Sequence, residues 1–219
     1  MSCRRPHPSL PLLRYIDGRL EGLLPDNGKH QYVAAPINKT SDGWLLFVST
    51  LQGLIEYERG TARGLLDPSN ISNWPTAAAQ TADGTFWIGT LETGLFRLGV
   101  TRGARETQHV AGLENAKINC LLPIGPSTLL IGTDKGLLTL HNGDLIQNAN
   151  SELGNLEILA LASGQKRDAW IGTNGHLFRV HAKDILADGR IDSLDHLAVH
   201  GTVTALFEDR EGWSRCAQE

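Results

Sequence analysis

Three features of the sequence predict an all-β chain. A short motif recurs four times, as Phe47-Val48-Ser49-Thr50, Trp87-Ile88-Gly89-Thr90, Leu130-Ile131-Gly132-Thr133 and Trp170-Ile171-Gly172-Thr173. Its closing threonines are separated by 40, 43 and 40 residues. Each copy runs through a glycine turn into a second segment of alternating character, and the chain holds 24 glycines, as many tight turns require. A fixed period of about 40 residues made of short strands, with no helical stretch free of Gly or Pro, is that of a β-propeller blade. The expected architecture is four essentially complete four-stranded blades plus two half-blades. They form either an incomplete ring or five blades closed by the two termini.

The elements follow from one repeat to the next. An apolar segment leads, as in Ile118–Leu122, Ile158–Ala162 and Val203–Phe207. A polar turn follows, at Ser41-Asp42-Gly43, Asp83-Gly84 and Asp209–Gly212, and Asp-Gly suits a hairpin because both residues tolerate positive φ. The motif strand comes next. Its Trp supplies apolar area to pack on the neighbouring blade, its β-branched residues fit a pleated strand, and its Gly marks a close approach by a neighbour. A second turn, at Gly53, Gly94, Gly136 or Asn174-Gly175, leads to the third strand. A variable segment then holds a fourth strand, for which Asp144–Asn148 is a candidate.

The ends are partial repeats. Leu12–Leu20 matches Leu137–Leu145 at a constant offset of 125, so the chain opens at the third strand of a blade. The expected blades lie at about 31–65, 73–110, 117–149 and 157–200, with half-blades at 12–30 and 201–212. Residues 1–11 are expected to be a disordered segment and 213–219 a tail outside the repeat, without strand character. The motif is lost after Gly212, so a truncated or frameshifted piece of a longer propeller is favoured over a five-bladed ring.

Composition excludes several classes of function. Net charge is −4 with both signs mixed, so there is no basic field for nucleic acid. Three scattered cysteines without a CxxC make neither a disulfide framework nor a zinc site. The proline-broken start is not a convincing signal peptide, and no stretch reaches the roughly 18 apolar residues of a membrane helix. Taken as given, the chain is expected to be cytoplasmic. The eight histidines include no His-Glu-x-x-His, and no phosphate loop or Gly-x-Ser-x-Gly is present. His176 and His181, five apart along one strand, are expected to face opposite sides. No cofactor, metal or catalytic residue is expected.

The pattern Asp-x-Gly-x-x-Trp-Ile-Gly-Thr-x-x-Gly-Leu-x-Arg resembles the two-component regulator propeller repeat. Asp83–Arg97 and Trp170–Arg179 carry it best, and Leu24-Pro25-Asp26-Asn27 resembles the family's blade-to-blade connection. The resemblance covers about residues 12–212. It implies the ligand-sensing part of a bacterial two-component or cyclic-di-nucleotide signalling receptor, periplasmic in a full-length receptor. The propeller would be completed by the rest of that receptor or by another copy. The chain itself carries no output domain, so it is not expected to be an enzyme.

If the apolar segment is innermost, the turn after each motif lies on the face of the blade connections, and the Asp-Gly turns lie opposite. That places Gln52, Glu92, Thr93, Asp134, Lys135, Asn174 and His176 on one rim. These positions vary while their scaffold repeats, as a binding surface would. The expected partner is a small molecule, with a glycan fragment as one candidate. A protein–protein scaffold on the same face is the alternative. A propeller lyase or lactonase is disfavoured, because such enzymes need acidic or histidine residues converging on the channel and the innermost segments here are apolar.

Overall fold

A computed structural model of the 219-residue chain describes residues 13–16, 19–22, 38–39, 45–49, 53–58, 61–66, 75–101, 104–147, 152–185, 189–208 and 214–218. The segment 1–11 and the turns at 41–43 and 209–212 lie outside them. Among the described residues there is no α-helix.

β1 (Leu13–Ile16) and β2 (Arg19–Gly22) form a two-stranded sheet in which Ile16 faces Arg19. At the offset of 125 this is the register in which His141 faces Asp144, so the opening hairpin is a copy of two outer strands. Blade one consists of β3 (Asn38–Lys39), β4 (Leu45–Ser49), β5 (Gly53–Glu58) and β6 (Thr61–Leu66). Blade two follows with β7 (Pro75–Gln80), β8 (Phe86–Thr90), β9 (Leu95–Thr101) and β10 (Ala104–His109). Blade three is β11 (Ile118–Pro123), β12 (Thr128–Thr133), β13 (Gly136–His141) and β14 (Asp144–Gln147). The last four-stranded sheet contains β15 (Ile158–Ser163), β16 (Ala169–Val180), β17 (Asp195–Glu208) and β18 (Ser214–Gln218). All pairings are antiparallel, and the first strands of successive sheets pack on one another in series, β3 on β7, β7 on β11, β11 on β15 and β15 on β17. That arrangement is a β-propeller.

The two long runs each serve two roles. Twelve extended residues would span about 36 Å or more. Yet the Arg179 guanidinium lies 5.1 Å above the Trp170 ring, so β16 folds back on itself. The reversal falls at Asn174-Gly175, where Gly175 takes φ +80. β17 pairs with β16 as the outer strand of blade four through residues 195–202 and with β18 from Val203 onward. Its second half is therefore the first strand of a fifth blade.

The expectation that the chain's last residues lack strand character is corrected by β18. Val203 faces Gln218 and Ala205 faces Ala217, with the same one-residue slip seen where Pro75 faces Thr90 and Ala77 faces Gly89. By that register Arg215-Cys216-Ala217-Gln218 stand where Trp-Ile-Gly-Thr stand in blades two and four. Main-chain groups form the ladder, so it survives loss of the side-chain motif.

The core lies between blades, and the period of two along each strand decides which seam a residue fills. Ala78 and Ile88 turn back to Leu54 of blade one, whereas Ala77, Ala79 and Trp87 turn forward to Ile118, Leu121, Leu129 and Ile131 of blade three. Leu130 of blade three turns forward to Ile158, Ile171 and Phe178 of blade four. The motif glycines receive the knobs of this packing. A Cβ on Gly89 would stand 2.5 Å from Ile118 Cγ2, one on Gly132 2.8 Å from Ile158 Cγ2, and one on Gly172 2.5 Å from Val203 Cγ1. Ile118, Ile158 and Val203 are fully buried in those holes, worth about 1.5–3 kcal/mol each in apolar burial.

The slip in each first strand adds a polar tie across the seam. Thr76 Oγ1 donates to the Ile118 carbonyl, and Asn119 Nδ2 donates to the Ile158 carbonyl at 3.0 Å.

Candidate functional site

The turn after each motif strand is held from within by the motif threonine. Thr90 Oγ1 donates to Gly94 O at 2.8 Å and accepts from Thr93 N at 3.1 Å. Thr133 Oγ1 donates to Gly136 O at 2.8 Å and accepts from Lys135 N at 3.0 Å. Thr173 Oγ1 contacts His176 O at 3.3 Å. All three threonines are buried. These bonds satisfy the reversing backbone locally, so the residues at each tip are free to vary.

Each turn abuts the connection that leads to the next inner strand. A Cβ on Gly94, at φ +83, would overlap Leu113 O, and one on Gly136, at φ +123, would stand 2.8 Å from Leu153 O. In blade four Thr202 Oγ1 donates to Asn174 Oδ1 at 3.2 Å. The turns and the blade connections thus share one face. The opposite face carries Asp83-Gly84, where Asp83 Oδ1 accepts from Thr81 Oγ1 at 2.6 Å and Thr85 N at 3.0 Å. Only Gly84 of that pair takes positive φ. Asp83 N donates to Pro126 O of the next blade on this same face, at 3.1 Å.

Of the rim residues expected from the sequence, Glu92, Lys135 and Asn174 are exposed, and Thr93, Asp134 and His176 are half-buried. Thr93 serves its own turn through a 3.0 Å contact with Thr90 Oγ1. Gln52 lies outside the described residues. The rim also includes a strap between blades three and four. Lys117 Nζ donates to Glu157 Oε1 at 2.6 Å, and Asn119 Nδ2 reaches the same oxygen at 3.3 Å. The Lys117 hydrogen bond holds the Glu157 carboxyl below its usual range. Both partners are over a third exposed, so the pair orients more than it stabilises.

Beneath this rim the first strands enclose a cavity of about 120 Å³ lined by Ala77, Cys120, Leu121, Leu159, Ala160, Leu161, Thr204, Ala205 and Leu206. The lining is apolar apart from one hydroxyl and one thiol. Burial pushes the Cys120 thiol far up, so it stays protonated and unreactive.

Two side-chain groups escaped the sequence. The buried Asp168 carboxylate accepts from Arg179 Nη2 at 2.8 Å, from Arg179 Nε and from His181 Nδ1 at 3.0 Å, and from Ala182 N at 2.9 Å. Burial would raise its pKa, but the Ala182, His181 and Arg179 bonds outweigh that and bring it below the ordinary value. His181 Nε2 meets Asp195 Oδ2 at 2.8 Å, and Asp195 followed by Asp168 raises its pKa. The second group joins His176 Nδ1 to His196 Nε2 at 2.8 Å. His176 and His181 therefore take different partners. Among the described residues no three His, Cys, Asp or Glu side chains come within reach of one metal ion.

No protein-family model and no curated protein matches the chain. Solved structures resemble it along most of its length. One is the extracellular domain of a hybrid two-component system protein of B. thetaiotaomicron, with 16% identity, TM-score 0.56, 91% of this chain covered and 33% of that one. A second such domain from B. thetaiotaomicron has 18% identity, TM-score 0.61, and 86% and 26% coverage. Virginiamycin B lyase from Staphylococcus aureus has 12% identity, TM-score 0.60, and 88% and 64% coverage. The chain thus spans about a third or less of these two extracellular domains. At these identities the likeness shows the propeller fold.

Proposed function

We propose that the chain is a ligand-recognising propeller region of a bacterial two-component or cyclic-di-nucleotide signalling receptor, which binds a small molecule without transforming it. The observation that carries this reading is the division of labour within each blade. A buried threonine fixes the backbone of the rim turn in blades two, three and four, while the exposed tip changes from Glu92 to Lys135 to Asn174. A surface with a constant frame and variable chemistry suits recognition. Binding without chemistry is favoured by the apolar lining of the central cavity, which holds no acid, base or nucleophile able to act. Likeness to extracellular domains of two-component systems supports the receptor setting, and the repeat motif points the same way. In a receptor, occupation of the rim would bias the packing of this region on its partners and so the output. A periplasmic location belongs to this same reading.

Thermal-shift screening of soluble oligosaccharides tests it. A true ligand at about 100 times its Kd adds roughly 2.7 kcal/mol of stability. Glu92→Ala, Lys135→Ala or Asn174→Ala should weaken the hit about tenfold, and Asp83→Ala on the opposite face should not. The reading fails if no compound shifts melting, or if the rim variants bind as well as the unaltered chain.

A further inference from the structure

The two histidines that meet at the outer corner of blade four stand 20 residues apart in the chain. They are brought together by the register in which Phe178 faces His196 and His176 faces Ala198. The two imidazoles are therefore diagonal neighbours on adjacent strands. Phe178 fixes one of them, its ring stacked on His196 at 4.8 Å between centroids and 21° between planes. The threonine-held turn fixes the other, since the His176 carbonyl is bound by Thr173. The facing nitrogens, His176 Nδ1 and His196 Nε2, are 2.8 Å apart, and this corner is open to solvent.

Among the described residues each of these nitrogens bonds to the other. Their hydrogen bond is exposed, so it contributes little to stability. Their separation is that of a hydrogen bond, and both nitrogens lie within reach of one metal ion that displaces the shared proton. With metal–nitrogen bonds of about 2.0 Å, ligands at a right angle stand about 2.8 Å apart, whereas tetrahedral ligands stand about 3.3 Å apart. Little movement of the two rings separates 2.8 Å from either spacing, and Cu(II) heads the affinity order for imidazole.

We propose that His176 and His196 form a two-nitrogen chelate for a divalent transition metal, Cu²⁺ above Zn²⁺. Water fills the remaining positions. On binding, the shared proton leaves the facing nitrogens, so that each neutral ring carries its hydrogen on its outer nitrogen and presents a lone pair inward. No redox step is involved. The ion clamps the third strand of blade four to its outer strand, beside the exposed Asn174. The inference does not rest on the sensing role, because metal binding is measured with no organic ligand present.

The test is titration of the full chain with Cu²⁺ and with Zn²⁺, followed by calorimetry and by electron paramagnetic resonance of the copper form. The expected result is one Cu²⁺ per chain, bound at least about tenfold more tightly than Zn²⁺, with hyperfine structure from two ring nitrogens. His176→Gln and His196→Gln keep a polar side chain in each place. Each should weaken binding at least tenfold and remove one nitrogen from the spectrum. His181→Gln, in the neighbouring cluster, should leave both unchanged. Absence of binding by the unaltered chain overturns the proposal. So does binding that survives both substitutions, or a preference for Zn²⁺.

Discussion

The second and third strands of blades three and four align at an offset of 40 residues. Thr128, Leu130, Thr133, Thr139 and His141 of one stand at the places of Asp168, Trp170, Thr173, Arg179 and His181 of the other. Along the seam to the following blade they also behave alike, since Gly132 receives Ile158 and Gly172 receives Val203. At the face opposite the rim they part. Blade three closes its corner with a hydroxyl–imidazole contact that uses no carboxylate, Thr128 Oγ1 to His141 Nδ1 at 2.8 Å. Blade four closes the same corner with a buried carboxylate that gathers an arginine, a histidine and a backbone amide. The repeat dictates where a corner needs a bond and leaves open whether that bond is charged.

The seam is where the two blades should respond alike and most strongly. Gly132→Ala and Gly172→Ala each force a methyl to within 2.8 Å or less of a branched side chain of the next blade, and each should cost about 2–3 kcal/mol in urea unfolding. Pairing Gly172→Ala with Val203→Ala should cost less than the two added together, because the truncation opens the space the methyl needs. Additive costs would mean that the glycine serves the backbone and not the knob.

The corners should respond differently. Asp168→Asn removes the charge that Arg179 and His181 face and should cost about 1–3 kcal/mol, whereas Thr128→Val in blade three should cost under about 1 kcal/mol. The pH dependence sharpens this. Asp168 has a lowered folded pKa, so its contribution is present above the ordinary value of 3.8 and is lost as pH falls through the lowered one. His181 has a raised folded pKa. Its contribution is complete below 6.5 and disappears as pH rises through the raised value. Urea midpoints of the unaltered chain should therefore gain most from this corner between those limits. The gain should shrink in Asp168→Asn, where Asp195 still faces His181, and persist in full in Thr128→Val.

The smallest expected effect concerns the turns that feed these corners. Blade two turns on Gly84 at φ +85, but blade four turns on Lys166 and Arg167, at φ 55 and 68. Non-glycine residues are strained there. Lys166→Gly should stabilise by about 0.5 kcal/mol, less than the full strain because glycine also loosens the unfolded chain. No change in the urea midpoint would show that this turn is already relaxed.

Much of the fold was legible because a repeat multiplies weak signals. One Trp-Ile-Gly-Thr is a strand among many, but four in register identify a blade, and the motif glycine already implied a close neighbour. The rim was legible for the same reason, since the alternation of strands assigns each turn to a face. Gln52 lies outside the described residues. What stayed hidden depends on pairs distant in the chain. His176 meets His196 only through the register of two strands, and Asp168 gathers His181 and Arg179 only once a hairpin has closed. The offset of 40 linking Thr128–His141 to Asp168–His181 was the one available signal for that corner. β18 was not legible because its side chains lack the motif, whereas its ladder needs only main-chain groups.

The seams have a consequence for how such a chain changes over time. From blade two onward, each of the three junctions inserts a β-branched side chain at the start of one blade into a glycine of the blade before it. Since the fitting is the same at each, a duplicated or deleted unit of about 40 residues would meet its new neighbour with matching parts. Blade number can drift by whole units without redesign of any interface, while the chemistry at each corner is free to diverge.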